Sequence, residues 1–504
     1  MQLESYFLDK SAFQRLQIFK YMSAALPKRV SINEVSQETG LSYQQAYRSF
    51  HDLLLDLKRC QPNLADSDEF TVLAANVSSD NYRLDLLQHS AAYAFFNTAF
   101  QDGKVDVEAF CNQYAISQST LRRRIKPFGD YLAAHHLKIS LAKPELQGDE
   151  SLIRLMIVIF YLLVYHGNGW ALDHISEARG EELYQHSLGN PFDKDPHNLA
   201  KHREDVSLIA VQAQRIKQGH LITDDSRLKL IAPNHYPHDT FFKAAFPTLT
   251  PEDWRREFEY YCFAQFFFIS LHPGNTDGEQ KMIDRLNETP NPVRVFCTDM
   301  MAYFWAAVPA SAALREQSSL MRNLYQTVYA HYALHGDMVR RLDFLEDQRA
   351  EDRIVAEVDQ FIDHLEPDSP ASVFKHYPTL PSSIAYIVWP YLSRLDPSDH
   401  LTVRVIMESE SLPYRDLLIF LRDVSFIDIV PTNDLKTHAE VVISSFSRLD
   451  AKLLLSEDAK QNFADLGHFL YWPLEATDTE FLSLYMQLRH IYDDKQIQQL
   501  TKKD

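Results

Sequence analysis

Residues 117–132 read SQSTLRRRIKPFGDYL. Leu121, Ile125, Phe128 and Leu132 recur at i, i+4, i+7 and i+11, which marks one face of an α-helix. Gln118, Ser119, Arg122, Arg123 and Lys126 fall off that face, toward solvent. Ser117 stands where its hydroxyl can cap the first turn. Thr120 occupies the position at which Glu or Gln would complete a capping box. Pro127 should kink or stop the helix near Lys126, because it donates no backbone hydrogen bond and biases its predecessor away from helix. Such a dense cationic helix needs explaining in a chain whose formal net charge is −19.

The stretch has a twin. DVEAFCNQYAISQSTLRRRI (residues 106–125) aligns without a gap on SINEVSQETGLSYQQAYRSF (residues 31–50), at an offset of 75. Apolar residues coincide: Ile32 with Val107, Val35 with Phe110, Leu41 with Ile116, Ala46 with Leu121, Phe50 with Ile125. Gly40 coincides with Ala115 at the turn, and Ser42 with Ser117 after it. Ser31 with Glu34, and Ser42 with Gln45, form capping boxes. The pattern predicts helix, tight turn, helix, twice. In the first copy the exposed positions are Tyr43, Gln44, Gln45, Arg48 and His51.

A helix-turn-helix places its second helix in the DNA major groove. Arg pairs bidentately with guanine and Gln with adenine, while further Lys and Arg hold phosphates. Candidate DNA-contacting residues are therefore Gln44, Gln45 and Arg48 in the first unit, and Gln118, Ser119, Arg122, Arg123 and Lys126 in the second. Alternating residues after each unit suggest wing hairpins: FTVLA and YRLDLL after the first, LKISLA and ELQG after the second. The expectation is two tandem winged helix-turn-helix domains. A triple-arginine run can be only a solvated face, but two gap-free copies favour DNA contact.

Charge agrees with that placement. Residues 1–140 hold 15 Lys+Arg and 15 Asp+Glu, and residues 141–504 hold the other 35 and 54. The acidic excess lies wholly beyond residue 140, so a polyanionic partner has to dock on the N-terminal part. Hydrophobic content of 45% and charged content of 24% fit a soluble globular chain of several domains. Cys60, Cys111, Cys262 and Cys297 form no CxxC pair and have no His at zinc spacing, which predicts neither disulfides nor structural zinc and suits a cytoplasmic location. The N-terminus lacks a signal-peptide pattern. Leu155–Tyr165 (LMIVIFYLLVY) is too short to span a bilayer and reads as a buried helix, as does Tyr260–Leu271. No membrane association is expected.

The stretches VSINEVSQETGLSYQQAYRSFHDLL and YAISQSTLRRRIKPFGDYLAAHHLKISLAKPELQGDESLIRLMIVIFYLLV resemble the Mga/AtxA family of Gram-positive transcriptional (virulence) regulators. The resemblance is strong to about residue 170. It implies two N-terminal DNA-binding domains, two helical regulatory domains of the phosphotransferase-system type (PRDs), and a C-terminal domain like an EIIB sugar-transport subunit.

The rest of the chain, taken by itself, is compatible with that order. Residues 170–280 and 285–380 look like two helical bundles, with Asn287–Phe296 as a linker. Leu401–Asn433 reads strand, helix, strand, and Ala439–Ser447 adds another strand, so a small α/β domain with parallel strands is expected. The fold class is thus mainly α: tandem winged helix-turn-helix domains at 1–85 and 86–168, PRD-like bundles at 169–284 and 285–385, and an EIIB-like α/β domain at 386–504. An EIIB enzyme uses a phosphorylated cysteine, and this chain has none after Cys297. The last domain should therefore serve dimerisation or interaction.

The resemblance also implies histidine phosphorylation by an HPr-type phosphotransferase protein, with His202, His272 and His331 as candidates and His335 as a rival to His331. An aromatic-rich helix surrounds His331, which equally suits a hydrogen-bonded core residue. Asn234–Asp239 (NHYPHD) is too loose for a metal site, His166–Trp170 (HGNGW) reads as a helix C-cap, and no catalytic constellation is present. The expected protein is not an enzyme and has no cofactor. It is a homodimeric, nucleoid-associated regulator of double-stranded promoter DNA, an activator. The other reading is a phosphotransferase-linked interaction protein whose helix-turn-helix units bind protein.

Overall fold

The computed structural model describes residues 3–26, 29–67, 69–186, 199–223, 225–232, 245–269, 277–307, 318–344, 352–392, 400–406, 412–430, 438–445, 468–473 and 476–501. The chain forms two compact units. The first comprises Met1–Phe296, Arg322–Glu346 and Asp368–Leu380, and the second the remainder.

The first unit opens with α1 (Glu4–Phe7), α2 (Lys10–Ala24), α3 (Ile32–Thr39) and α4 (Tyr43–Cys60). Helices α2, α3 and α4 pack as a three-helix module around Leu16, Phe19, Val35, Ala46, Leu53 and Leu57, all buried. A buried carboxylate ties the module together. Asp56 accepts from Arg15 Nε at 2.7 Å and from the Tyr82 hydroxyl at 2.9 Å. Next come α5 (Phe70–Leu73) and α6 (Ser79–Gln88), then the second module, α7 (Ala91–Asp102), α8 (Val107–Gln113) and α9 (Gln118–Ala134).

The expected stripe on α9 is the buried one: Leu121, Ile125, Phe128 and Leu132 all face inward. Phe128 meets Phe7 and Phe96 at ring separations of 4.8 Å, so α1 plugs the second module. Pro127 does not stop α9, which runs on to Ala134. The ring sits on the solvent side, where water can serve the carbonyl that proline leaves unpaired.

The wings are corrected. FTVLA and YRLDLL form α5 and α6 rather than a hairpin. Ser78 caps α6 by accepting from Asn81 N, and Tyr82, Arg83, Leu84, Leu86 and Leu87 are all buried. A helix apolar on most sides mimics strand alternation over six residues. After the second module a single antiparallel bridge, Lys138 with Gln147, is all that forms. Its loop closes tightly between Ser140 and Lys143, and Pro144 instead offers its carbonyl to Val105 N at 2.9 Å. Gly148 suits this bridge, since its φ of 150° is one that residues with a side chain rarely adopt.

Helix α10 (Glu150–Tyr165) is almost wholly buried. As its sequence suggested, His166 ends it in the left-handed conformation, at φ 42°. It packs with α12 (Leu199–Lys217), which follows α11 (Glu177–His186) and precedes α13 (Pro251–Gln265). Arg154, immediately before the apolar run, is fully buried. It donates to both carboxylate oxygens of Glu257 (2.6 and 3.0 Å), to Glu150 at 3.0 Å and to the His220 carbonyl at 2.8 Å. Glu257 also accepts from Gln212 Nε2 at 2.9 Å and from Ile222 N at 3.0 Å. Helix α14 (Asp277–Glu288) follows, and only Thr289–Asn291 separates it from α15 (Pro292–Ala307). Then come α16 (Ser318–Ala333), α17 (Asp352–Asp363) and α18 (Leu380–Leu392).

The second unit contains a four-stranded sheet in the order β2-β1-β3-β4, parallel throughout: β1 (Leu401–Ile406), β2 (Ile427–Val430), β3 (Val441–Ser444) and β4 (His468–Tyr471). Val403 pairs with Ile429 on one side and Val441 on the other. Helix α19 (Leu412–Asp423) links β1 to β2, and α20 (Asp478–Thr501) closes the described chain. Leu417 and Leu421 of α19 and Leu484 and Leu488 of α20 share one core with β1, β3 and Trp472. The strand–helix–strand expectation agrees with this unit, and β4 and α20 are additions to it.

Candidate nucleic-acid interface

The two helix-turn-helix units correspond element by element at the sequence offset. Helix α8 begins 75 residues after α3, and α9 begins 75 residues after α4. At both turns the backbone enters the left-handed region, Gly40 at φ 68° and Ala115 at φ 49°. Glycine does so without strain, whereas Ala115 costs about 1–2 kcal/mol. The same chain reversal is thus kept even where the residue resists it.

The caps then fix what each helix can offer. Both capping boxes form: Ser31 with Glu34, and Ser42 with Gln45. The second box occupies Gln45, whose Oε1 accepts from Ser42 N at 3.1 Å and from Ser42 Oγ at 3.0 Å. Gln45 therefore lacks the free acceptor that bidentate pairing to adenine needs. Gln44 is exposed and has no hydrogen-bond partner among the described residues. Ser117 caps α9 by accepting from Thr120 N at 3.1 Å, and its hydroxyl lies 2.8 Å from that of Ser119.

Gln118, Ser119, Arg122, Arg123 and Lys126 are all exposed, as is Arg48. Arg124, which the sequence reading passed over, is exposed beside them. Among the described residues, Arg122, Arg123 and Arg124 have no ion-pair partner, while Lys126 pairs with Asp130 on the next turn. Three unpaired guanidinium groups on the second helix of a helix-turn-helix can pair with phosphates or guanine edges without first breaking an internal bond.

The far end of α9 is held by the same compact unit. The Tyr131 hydroxyl donates to Asp343 at 3.2 Å, and the Tyr131 ring lies 5.0 Å from that of Phe344. His135 Nε2 is 3.8 Å from Asp343, and His136 Nε2 is 3.3 Å from Asp337. Arg340 clamps Asp343 with Nε at 2.9 Å and Nη2 at 2.6 Å, and its Nη1 donates to the Thr379 carbonyl at 3.1 Å.

The histidine candidates differ sharply in setting. His202 is partly exposed, 2.8 Å from Glu181 and against the Tyr184 ring. His331 is fully buried. Its Nδ1 lies 2.8 Å from the Thr327 carbonyl and its Nε2 3.2 Å from the Thr379 hydroxyl. His335 is exposed, with Nε2 2.7 Å from Asp225. His272 and the Asn234–Asp239 motif lie outside the described residues.

Burial pushes the His331 pKa down to about 4, with Arg340 adding to the effect and the hydrogen bonds to Thr327 and Thr379 and the negative charge of Asp343 opposing it. In the unfolded chain a histidine titrates near 6.5. The stability contributed by neutral His331 is therefore complete above pH 6.5 and is lost as pH falls toward 4. Between pH 7 and pH 5 this site should cost about 2 kcal/mol of stability. Urea unfolding at the two pH values should show a smaller loss for His331→Gln than for the native chain.

Among the described residues, no helix is long and apolar enough to cross a membrane, and no group of three or more His, Cys, Asp or Glu side chains is placed to hold a metal ion. Residues 75–161, from the approach to α6 through most of α10, match the Mga helix-turn-helix domain. No curated protein matches the chain.

Proposed function

We propose that this chain is a sequence-specific DNA-binding transcriptional regulator, acting as a homodimeric activator in the cytoplasm. The observation that carries the reading is the exposed triplet Arg122, Arg123 and Arg124 on α9, fanned about the helix and without an ion-pair partner among the described residues, within the stretch similar to the Mga helix-turn-helix domain. In this reading α4 and α9 enter successive major-groove segments, and the acidic remainder of the chain stays off the duplex. The PRD-like and EIIB-like assignments, dimerisation through the α/β unit and exchange with an HPr-type protein belong to the same proposal. The attachment of α9 to Asp343 and Phe344 through Tyr131 supports tuning by the helical region, because a change there bears directly on a candidate DNA-reading helix.

The test is equilibrium binding of the full chain to duplex DNA across a salt series. Steep loss of affinity with salt is expected, and no binding at low salt would refute the reading. Regulation is tested separately. After incubation with the general phosphotransferase proteins and phosphoenolpyruvate, phosphohistidine mapping should find His202 modified and His331 unmodified, since only the former meets solvent. A chain without phosphohistidine removes the regulatory half of the proposal.

A further inference from the structure

Helices α4 and α9 share a backbone design but not an outward surface. Along the i, i+4 row that faces out from α9 stand Gln118, Arg122, Lys126 and Asp130. The equivalent row on α4 is Tyr43, Tyr47, His51 and Leu55. Tyr43 is 53% exposed, Tyr47 47% and Leu55 64%, high values for large apolar side chains. The rings are ordered rather than scattered. Tyr43 and Tyr47 lie near-parallel (18°) with centroids 6.3 Å apart, and Tyr47 meets the His51 ring edge-on at 4.7 Å. Beside this ladder Gln44 has both amide atoms free, while Gln45 is committed to its cap. Arg48 is the one cation between Tyr43 and Leu55, and Asp52 offsets it.

We infer that α4 reads A·T base pairs in the major groove, Tyr43 and Tyr47 packing on thymine 5-methyl groups and Gln44 pairing with an adenine edge, while α9 supplies the cationic contacts. The inference rests on the DNA-binding reading and deepens it. Thymine alone presents an apolar group in the major groove, and adenine alone presents the N7 acceptor beside the N6 donor that a free amide matches bidentately. An aromatic ladder next to a free glutamine fits both halves of one base pair. The position agrees, because the N-terminal residues of the second helix are those that reach base edges. Leu55, three turns along, lies beyond that reach. The near-neutral surface of α4 further means that its contacts release few counterions, so its contribution is nearly independent of salt.

The test uses the full chain and a duplex that it selects from a random-sequence pool. Replacing the thymines of one half-footprint by uracil deletes only methyl groups. Affinity of the native protein should fall about fourfold per contacted methyl, the value of one buried methyl-sized group, with an unchanged slope of log K against log salt. Replacing adenine by 7-deazaadenine in the same half should weaken the native protein but not Gln44→Ala. Tyr43→Ala/Tyr47→Ala should lose the uracil factor on ordinary DNA and become indifferent to uracil. Its thermal unfolding should stay close to that of the native chain, since both rings are about half exposed and lie outside the core.

Native protein indifferent to uracil overturns the inference, and that measurement needs no variant. A tyrosine variant that still discriminates uracil from thymine also overturns it. So does a shallower salt slope in that variant, which would assign the tyrosines to phosphates. All three results occur with DNA binding intact. Loss of binding to every duplex at low salt is different, and refutes the parent reading.

Discussion

Arg122→Ala/Arg123→Ala lowers affinity for the selected duplex by about 10²–10⁴-fold at fixed salt, if each guanidinium contributes about 1–3 kcal/mol. Two mechanisms share that loss, and the salt series separates them. Each phosphate contact removed flattens the slope of log K against log salt by about 0.9. A base contact instead relaxes discrimination at one position and leaves the slope alone. The fold should not respond, because both side chains are exposed and have no ion-pair partner among the described residues, so unfolding stability should stay within about 0.5 kcal/mol. Unchanged affinity in this variant would move the interface off α9. Lys126→Ala should do less, since Lys126 already spends part of its charge on Asp130.

Arg154→Met destabilises the first unit by about 3–5 kcal/mol, the usual result of stranding one partner of a buried ion pair. Glu257, wholly buried, would keep Gln212 and Ile222 as donors to its side chain among the described residues. Nor could the carboxylate reach water without opening the packing of α10, α12 and α13. The double variant Arg154→Met/Glu257→Gln should recover part of the loss, because the neutral amide still accepts from Ile222 N and no longer carries an uncompensated charge. Urea unfolding of the three chains checks both statements. A single variant as stable as the native chain would mean that water reaches Glu257.

What was legible in the sequence follows from the range over which each signal acts. Caps, turns and helical stripes are decided within one or two turns of chain, and Ser31, Ser42, Gly40, Ser117 and the Leu121–Leu132 stripe all stand where spacing put them. The strand–helix–strand order after residue 400 was equally local. The failures came where long-range packing decided. Tyr82, Leu84 and Leu86 alternate like a strand, yet they belong to a helix buried on most sides against Phe19 and α10. Pro127 breaks an isolated helix, but buried Ile125 and Phe128 hold α9 together on either side of it. The occupation of Gln45 by its own cap was implicit in the box S-x-x-Q, whose glutamine must reach backward. The grip of Asp343 on α9, 212 residues from Tyr131, had no sequence signal at all.

That grip makes α9 a lever. Tyr131 and Gln118 are separated along the axis by about 20 Å at 1.5 Å per residue. A pivot of about 10° at the Asp343 end would sweep the Gln118 end through roughly 3–4 Å, whereas a hydrogen bond survives only within about half an ångström of its optimum. Because Leu121, Ile125 and Phe128 are buried along α9, such a pivot must carry the elements packed on them, and the module would move as one body. Phe128, packed on Phe7 and Phe96, couples the helix to the rest of that body.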